Sequence, residues 1–264
     1  MTDRELFPVG HLDWSVMEEM ALSEATQEYL ESIYWLYEAG IDRTQANLAR
    51  ALQVSQPSAS EMLRRLTDEG HVSRDEHKLI EFTDRGREVA ARIVARHRTV
   101  EAYLVKVMGI PWDEVHEEAH AMEHSISPRL EAKMLEMIGE VRTCPHGHPI
   151  GDYPREPGEA IPAVPVGSEI VVLRLENEAE EMLHYLKQRG VEPGRRYRVS
   201  DRRGHGDDAV TELVDIEAGT SHEVDDRLAR TVSVVVSSRG DGAVSDIVEA
   251  GAELQLLGST RWGM

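Results

Sequence analysis

The segment TQANLARALQVSQPSASEMLRRLTDEGHV, residues 44–72, leaves the chain few folds to choose from. Leu48, Ala49 and Leu52 recur at helical spacing, and so do Met62, Leu63 and Leu66. Between them Gln53–Gln56 forms a short polar break. Pro57 in a first turn and Gly70 just past an end mark out the second helix. Two helices meeting over small residues at a tight turn predict a helix-turn-helix. The stretch that follows, VSRDEHKLIEF, holds two short strand-like pieces around a polar turn and predicts a wing. The second helix would present Gln56, Ser58, Ser60, Glu61 and Arg64 near its N-terminus, where side chains reach base edges. Arg74, His77 and Lys78 would bring the wing to phosphate. A plain helix pair in an ordinary α protein is the blander alternative, and the helix–helix–hairpin order argues against it.

A second feature carries chemistry. Between Asp113 and Lys133 the chain reads DEVHEEAHAMEHSISPRLEAK. On a helix, His116, His120 and His124 fall on one stripe with Glu123 beside His120. Successive imidazoles on that stripe rise by about 6 Å, close enough to converge with a carboxylate on one cation. Val115, Ala119, Met122 and Ile126 take another face, so the histidines are not scattered surface charge. A solvated histidine face remains the alternative. His120-Ala-Met-Glu123-His124 also matches H-x-x-E-H, which would make Glu123 a base on zinc-bound water in a metallopeptidase. That reading leaves the winged helix unexplained.

Composition bounds the setting. The 264 residues allow two domains or slightly more, and 41% apolar with 30% charged is a globular composition. No apolar run approaches the ~20 residues of a membrane span, and the start does not read as a secretory signal. The single cysteine, Cys144, excludes an intramolecular disulfide framework and suits a reducing cytoplasm, the expected compartment. A net charge of −20 argues against indiscriminate attraction to nucleic acid. From Ser23 to Arg96, however, 13 acidic residues face 10 basic ones, a net of only −3, so a specific DNA-binding face remains possible there.

The expected fold is mainly α with a small β domain. Residues 1–22 read as an N-terminal arm, 23–95 as a winged helix-turn-helix and 96–142 as a helical domain. Residues 143–165, rich in Pro and Gly, read as a linker, 166–238 as a small barrel and 239–264 as a tail. The long helix is expected from Thr83 through Val107, and the helix after Ser127-Pro128 to about Val141. Strands are expected at Ile170–Leu175, Arg196–Asp201, Ala209–Val214 and Leu228–Val236, with one helix at Glu178–Arg189.

Several motifs in this order resemble the diphtheria-toxin-repressor and manganese-transport-regulator family of metal-dependent transcriptional regulators. They are EYLESIYWL, the winged helix, RHRTVEAYL, HEEAHAMEHSIS, CPHGHPI, and then VGSEIVVLRL, YLKQRGVEPGRRYRV and LARTVSVV. The resemblance implies a non-enzymatic protein with a helical dimerisation and metal-binding domain and a C-terminal SH3-like (FeoA-like) barrel. It implies a homodimer that binds a palindromic operator in double-stranded DNA when loaded with metal, with no membrane partner. It assigns a primary metal site to Glu28, Glu31, His97, His120, Glu123 and His124. A second site would use Glu101, His116, Cys144 and His146, with His97 shared and a carboxylate among Glu178, Glu180 and Glu181 completing it. Glu28 and Glu31 stand at i and i+3, and His97 and Glu101 at i and i+4, so each pair shares a helix face. The alternative for Cys144 is an inert buried thiol, and His148 is expected to be a loop residue.

The family's base-contact positions fall on Pro57, Ser60 and Glu61. Glu61 departs from a Gln of the iron-responsive branch; it accepts from a cytosine amino group but cannot donate to adenine. That branch has Met where Glu28 stands, whereas the manganese branch has a carboxylate there. Hard oxygen donors favour Mn²⁺, the expected metal. His120 departs from both branches and keeps Fe²⁺ as a second choice and Zn²⁺ as a third. A metal-blind winged-helix scaffold is the remaining alternative.

Overall fold

The computed structural model describes residues 21–238, apart from the Asp207 side chain; the expected arm (but for its last two residues) and tail lie outside them. The chain divides into two compact units between Arg96 and His97.

In the first unit α1 spans Glu24–Glu38, α2 Gln45–Ala51 and α3 Gln56–Asp68. Each begins where a hydroxyl caps a free amide: Ser23 accepts from Thr26 N, Thr44 from Asn47 N and Ser55 from Ser58 N. Strands β1 (Val72–Arg74) and β2 (Ile80–Phe82) pair antiparallel, with Ser73 opposite Glu81. Leu30, Ile33, Leu48, Leu63, Leu66, Ile80, Val89 and Ile93 form the core, with Leu52 and Met62 packed at its edge. The expected helix-turn-helix and wing are therefore present.

Helix α4 runs from Asp84 to Tyr103, and its first turn packs against the end of α3 and the wing. Gly86 leaves no room there: a Cβ would lie 1.8 Å from the carbonyl oxygen of His71. Backbone cannot rotate away as a side chain does, so Gly86→Ala should destabilise this unit by about 1–3 kcal/mol or more. Thermal unfolding of the variant checks this. An unchanged midpoint would mean that the helix start slides freely.

The second unit begins at His97. The expected helix through Val107 instead gives way at Leu104 to a π-helical turn, Leu104–Met108, closed by Gly109 at φ 74°. Lys106 within it donates to the Ile138 carbonyl at 2.6 Å and so caps the helix α6. Helices α5 (Val115–Glu123) and α6 (Pro128–Ile138) follow. α6 stops at Gly139 rather than Val141 because Gly139, at φ 68°, turns the backbone out of the helix.

The two ends of 143–165 are packed, while residues 151–158 between them are largely exposed, as a spacer composition would suggest. Cys144, His146, His148, Ile150, Ile161 and Val164 are all buried. A six-stranded antiparallel sheet completes the unit in the order β3-β8-β4-β5-β6-β7. Its strands are β3 Glu159–Ala160, β4 Glu169–Leu175, β5 Arg196–Arg203, β6 Val210–Asp215, β7 Ser221–Asp225 and β8 Val232–Ser238. Register shifts in β4 and β5 curl it. β3 and β7 were not expected, and the expected strand from Leu228 divides into a one-turn helix, α8 (Asp226–Ala229), and β8.

Helix α7, Glu180–Gln188, lays Leu183 and Leu186 on the sheet. The expected Glu178 start is two residues early, which leaves Glu178 in the strand-to-helix loop. One apolar core joins Val100, Leu104, Trp112, Val115 and Ala119 of the helical part to Val172, Leu175, Leu183 and Val234 of the sheet domain. The sheet domain is thus fixed against α4 and α5. Among the described residues no helix is long and apolar enough to cross a membrane.

Candidate metal centre and nucleic-acid interface

Gln56, Pro57, Ser58, Ser60, Glu61 and Arg64 are all exposed on α3, and Arg74 and Lys78 are exposed on the wing. Arg74 donates to the Lys78 carbonyl at 2.8 Å, and Lys78 sits at φ 64° in the tight turn. Gln45 links the two elements. Its amide donates to the Gln56 carbonyl at 3.1 Å, and its oxygen lies 3.3 Å from an Arg74 guanidinium nitrogen. Gln45 carries no motif, so only the tertiary structure reveals this brace.

In the second unit the histidine stripe serves two clusters. His120 and His124, at the end of α5, flank Glu123, whose Oε1 is 3.0 Å from His120 Nδ1 and 3.7 Å from His124 Nε2. Its Oε2 is 3.1 Å from Nδ1 of His97 on α4. One turn before His120 on the same stripe, His116 meets a different set of partners. His116 Nδ1 lies 3.1 Å from Glu101 Oε1 and 3.2 Å from Glu178 Oε2. His97 joins this second cluster too, through Nε2 at 3.1 Å from Glu101 Oε1. Glu28 and Glu31 lie on α1 of the first unit, Glu31 buried and Glu28 half-buried.

Cys144 and His146 come to the same place on a tight turn. Pro145 follows Cys144, and Gly147 N donates back to the Cys144 carbonyl at 3.0 Å, the pattern of a β-turn with Pro second and Gly fourth. His146 Nε2 donates to the Trp112 carbonyl at 2.7 Å, which directs Nδ1 to Glu101 Oε1 at 3.2 Å. The turn is locked to β4. Leu175 N donates to the His146 carbonyl, and Gly147, at φ 91°, lies so close that a Cβ would meet the Leu173 carbonyl oxygen at 1.8 Å.

Of the three carboxylates considered for the sheet domain, Glu178 reaches the cluster, while Glu180 and Glu181 are exposed on α7. His148, expected to be a loop residue, is buried and holds Glu178 in place. Its Nε2 is 3.0 Å from Glu178 Oε1, and its Nδ1 faces Arg155 at 3.3 Å. No alternation announced this, because Cys144 to Ile150 is buried throughout apart from the half-buried Gly147.

Such a nest of buried acids requires compensating positive charge. Burial works against a proton on His97, but Glu123 and Glu101 outweigh it and hold the imidazole well above its ordinary range. Burial opposes charge on Glu123 as well, yet His97 and His120 draw its pKa down to about 2. His116, disfavoured by burial, is carried to about 9 by hydrogen bonds to Glu101 and Glu178. Burial and the nearby Glu101 and Glu178 push the Cys144 thiol well above its usual value.

The donor set fits a divalent cation. The carboxylates and imidazoles already converge, and Glu101 Oε2 is fully buried with no hydrogen-bond donor. A cation would replace the protons that these imidazoles hold. His116 is protonated below about 9, so metal affinity should rise as pH climbs from 6.5 toward that value. Calorimetric titration in buffers of different ionisation enthalpy counts the protons released; a pH-independent affinity would mean that the imidazoles are already neutral.

Comparison with known proteins agrees with this architecture. Residues 21–78 match the N-terminal DNA-binding domain of the iron-dependent repressors, and residues 83–152 match their metal-binding and dimerisation domain. The iron-dependent repressor IdeR of Mycobacterium tuberculosis is 33% identical over 204 residues, which cover 70% of this chain and 87% of that protein. The diphtheria toxin repressor of Corynebacterium glutamicum is 30% identical over 229 residues, 81% of this chain and 96% of that one. A solved manganese-dependent transcriptional repressor in complex with manganese superposes with a TM-score of 0.72 at 32% identity, covering 80% of this chain and 99% of the other. These relatives are repressors rather than enzymes, which removes the peptidase reading of H-x-x-E-H. The chain belongs to the iron-dependent repressor family and is a metal-dependent transcriptional repressor, with DNA and a second copy of itself as its partners.

Proposed function

We propose that the activating metal is Mn²⁺ and that the loaded dimer binds a palindromic operator in the cytoplasm, repressing metal-uptake genes. The observation that carries the metal choice is the buried Glu123 carboxylate facing His97, His120 and His124 with no sulfur donor in that set. The sequence resemblance alone adds Glu28 and Glu31, bringing the oxygen-rich character that Mn²⁺ accepts. Mn²⁺ binds weakly on the general affinity order, so selectivity rests on geometry and availability. The manganese-bound relative favours this choice. The relatives named as iron-dependent, together with the imidazole of His120, favour Fe²⁺ as the second reading.

The second site takes His97, Glu101, His116 and Glu178, with Cys144 and His146 beside them. On the DNA side, Gln56, Pro57, Ser58, Ser60, Glu61 and Arg64 read bases, while Arg74 and Lys78 hold phosphate. The division used is 23–95 for DNA, 96–142 for dimerisation and metal, 143–165 as connector and 166–238 as the SH3-like domain.

Metal acts here by selecting a conformation. Two Mn²⁺ ions add four charges to −20, too few to make the protein attractive to DNA. A nearly complete shift between two states needs about 5.5 kcal/mol of differential binding, within reach of carboxylate–imidazole sites. The test is anaerobic operator binding with Mn²⁺, Fe²⁺ and Zn²⁺ in turn, in which Mn²⁺ at about micromolar levels should restore the specific complex. A response to Fe²⁺ or Zn²⁺ without one to Mn²⁺ overturns the manganese assignment. Glu28→Met should move the preference toward Fe²⁺, because a thioether is a poor manganese ligand.

A further inference from the structure

Asp113 lies just before helix α5, and its carboxylate is buried, with 1% of the side chain exposed. A buried carboxylate needs a partner, and both oxygens find one on α7, in the sheet domain. Lys187 Nζ, 74 residues along the chain, donates to Oδ1, and His184 Nε2 lies 3.5 Å from Oδ2. His184 and Lys187 stand at i and i+3 and so share a helix face. Lys187 is the stronger partner. His184 Nδ1 donates to the Glu180 carbonyl at 3.1 Å, so in the neutral ring Nε2 turns a lone pair toward the carboxylate. Asp113, Glu114 and His184 also stand close enough together to hold an ion, but the Lys187 ammonium already supplies the positive charge there.

The other faces of α7 belong firmly to the sheet. Leu183 and Leu186 enter the apolar core. The Tyr185 hydroxyl donates to Asp225 Oδ2 at 2.8 Å and accepts from Asp225 N at 3.1 Å. Arg189 donates to the Glu223 carbonyl at 3.0 Å, so both bonds end on β7. A grip on α7 is therefore a grip on the whole sheet domain. None of Asp113, His184 and Lys187 is among the donors assigned to either metal site, and Glu178 stands two residues before α7 begins.

We propose that Asp113 is a docking anchor which, through Lys187, fastens the sheet domain to the helical domain without help from a metal. Lys187 and Asp113 are positioning residues: they keep Glu178 in front of His116 so that an incoming ion meets an assembled carboxylate instead of recruiting a loose domain. The consequence for Glu178 rests on the reading of the second site above; the anchor itself does not.

The experiment follows amide hydrogen exchange by mass spectrometry in the full-length dimer, chelated and then loaded with Mn²⁺. Wild type is compared with Lys187→Met, Lys187→Arg, Asp113→Asn and the Lys187→Met/Asp113→Asn pair. In chelated Lys187→Met, which keeps the stem and removes the charge, α7 and the start of α5 should exchange faster by about tenfold or more, because a buried carboxylate has lost its cation. Helices α1–α3 should be unchanged, which separates undocking from general loss of stability. Lys187→Arg should behave as wild type. The paired variant should exchange no faster than Lys187→Met, because no charge is then left buried without its partner. Asp113→Asn serves as the single variant should Lys187→Met not fold. Unchanged exchange in α7 of Lys187→Met, or strictly additive effects in the paired variant, overturns the proposal and leaves docking to the apolar core alone. Mn²⁺ should slow α7 exchange again in Lys187→Met, since opening would withdraw Glu178 from the ion, and Glu178→Ala should remove that protection. Fast exchange that Mn²⁺ does not slow would support the anchor and overturn instead the reading of Glu178 as a ligand.

Discussion

Glu123→Ala is expected to abolish specific operator binding at any metal concentration. Three imidazoles address the Glu123 carboxylate within the second unit, at 3.0, 3.1 and 3.7 Å. Its removal takes the charged oxygen donor from the centre of the set and leaves the rings to bind water or protons. Specific protein–DNA complexes exceed non-specific ones by about a thousandfold or more, and the loss should be of that order. Glu123→Gln separates chemistry from packing, because it keeps the shape and hydrogen-bonding reach while giving up the charge. Both variants should resemble chelated wild type in a mobility-shift titration. Full metal dependence in the Gln variant would reduce Glu123 to a packing residue.

The second large effect should come from a residue with no donor atom of its own in its side chain. Gly147→Ala places a methyl group 1.8 Å from the Leu173 carbonyl oxygen and 2.8 Å from the carbonyl carbon, at a φ of 91° that side chains resist. The Cys144–Gly147 turn can relieve this only by leaving β4, which breaks the hydrogen bond from Leu175 N to the His146 carbonyl. Strain and displaced packing are expected to cost about 3 kcal/mol or more. Gly151→Ala is the matched control: its φ is 67°, but nothing lies within 4 Å of its Cβ. Thermal unfolding with and without metal should show a much larger loss for Gly147→Ala, together with weakened binding of Co²⁺. Equal losses in the two variants would mean that backbone conformation alone is at stake and that the turn is not locked to the strand.

Much of the first unit was readable because its signals are local. Ser23, Thr44 and Ser55 cap helices three residues ahead, and Gly40 and Gly70 end them with positive φ, all within a few residues of chain. The division of the stripe between two clusters came from the family resemblance and not from helix geometry, since His116 and Glu123, seven residues apart, fall on nearly the same face of α5. What stayed hidden depends on distant backbone. Glu178, Glu180 and Glu181 are equivalent as letters, and Glu178 is singled out because it lies just before α7 where His148 can hold it. His148 gains that role from the turn preceding it and from Arg155, seven residues on. The segment 143–165 has the composition of a spacer, yet its two ends are packed into the unit by Cys144–Ile150 and by Ile161 and Val164. The π turn at Leu104 likewise leaves no mark in the sequence, because the Lys106 bond that accompanies it reaches 32 residues along the chain.

His97 turns Nδ1 to Glu123 and Nε2 to Glu101, each at 3.1 Å. A neutral imidazole has one lone pair to offer, so this ring is a referee between two claimants. When an ion beside Glu123 takes Nδ1, the ring proton must sit on Nε2 and hydrogen-bond to Glu101; when an ion beside Glu101 takes Nε2, the proton moves to the other side. The two loadings are therefore mutually informed through a single proton, with no movement of the backbone. The ion that arrives first decides which set keeps its full complement of donors, and a titration of this repressor carries a record of that order in the tautomer of one ring.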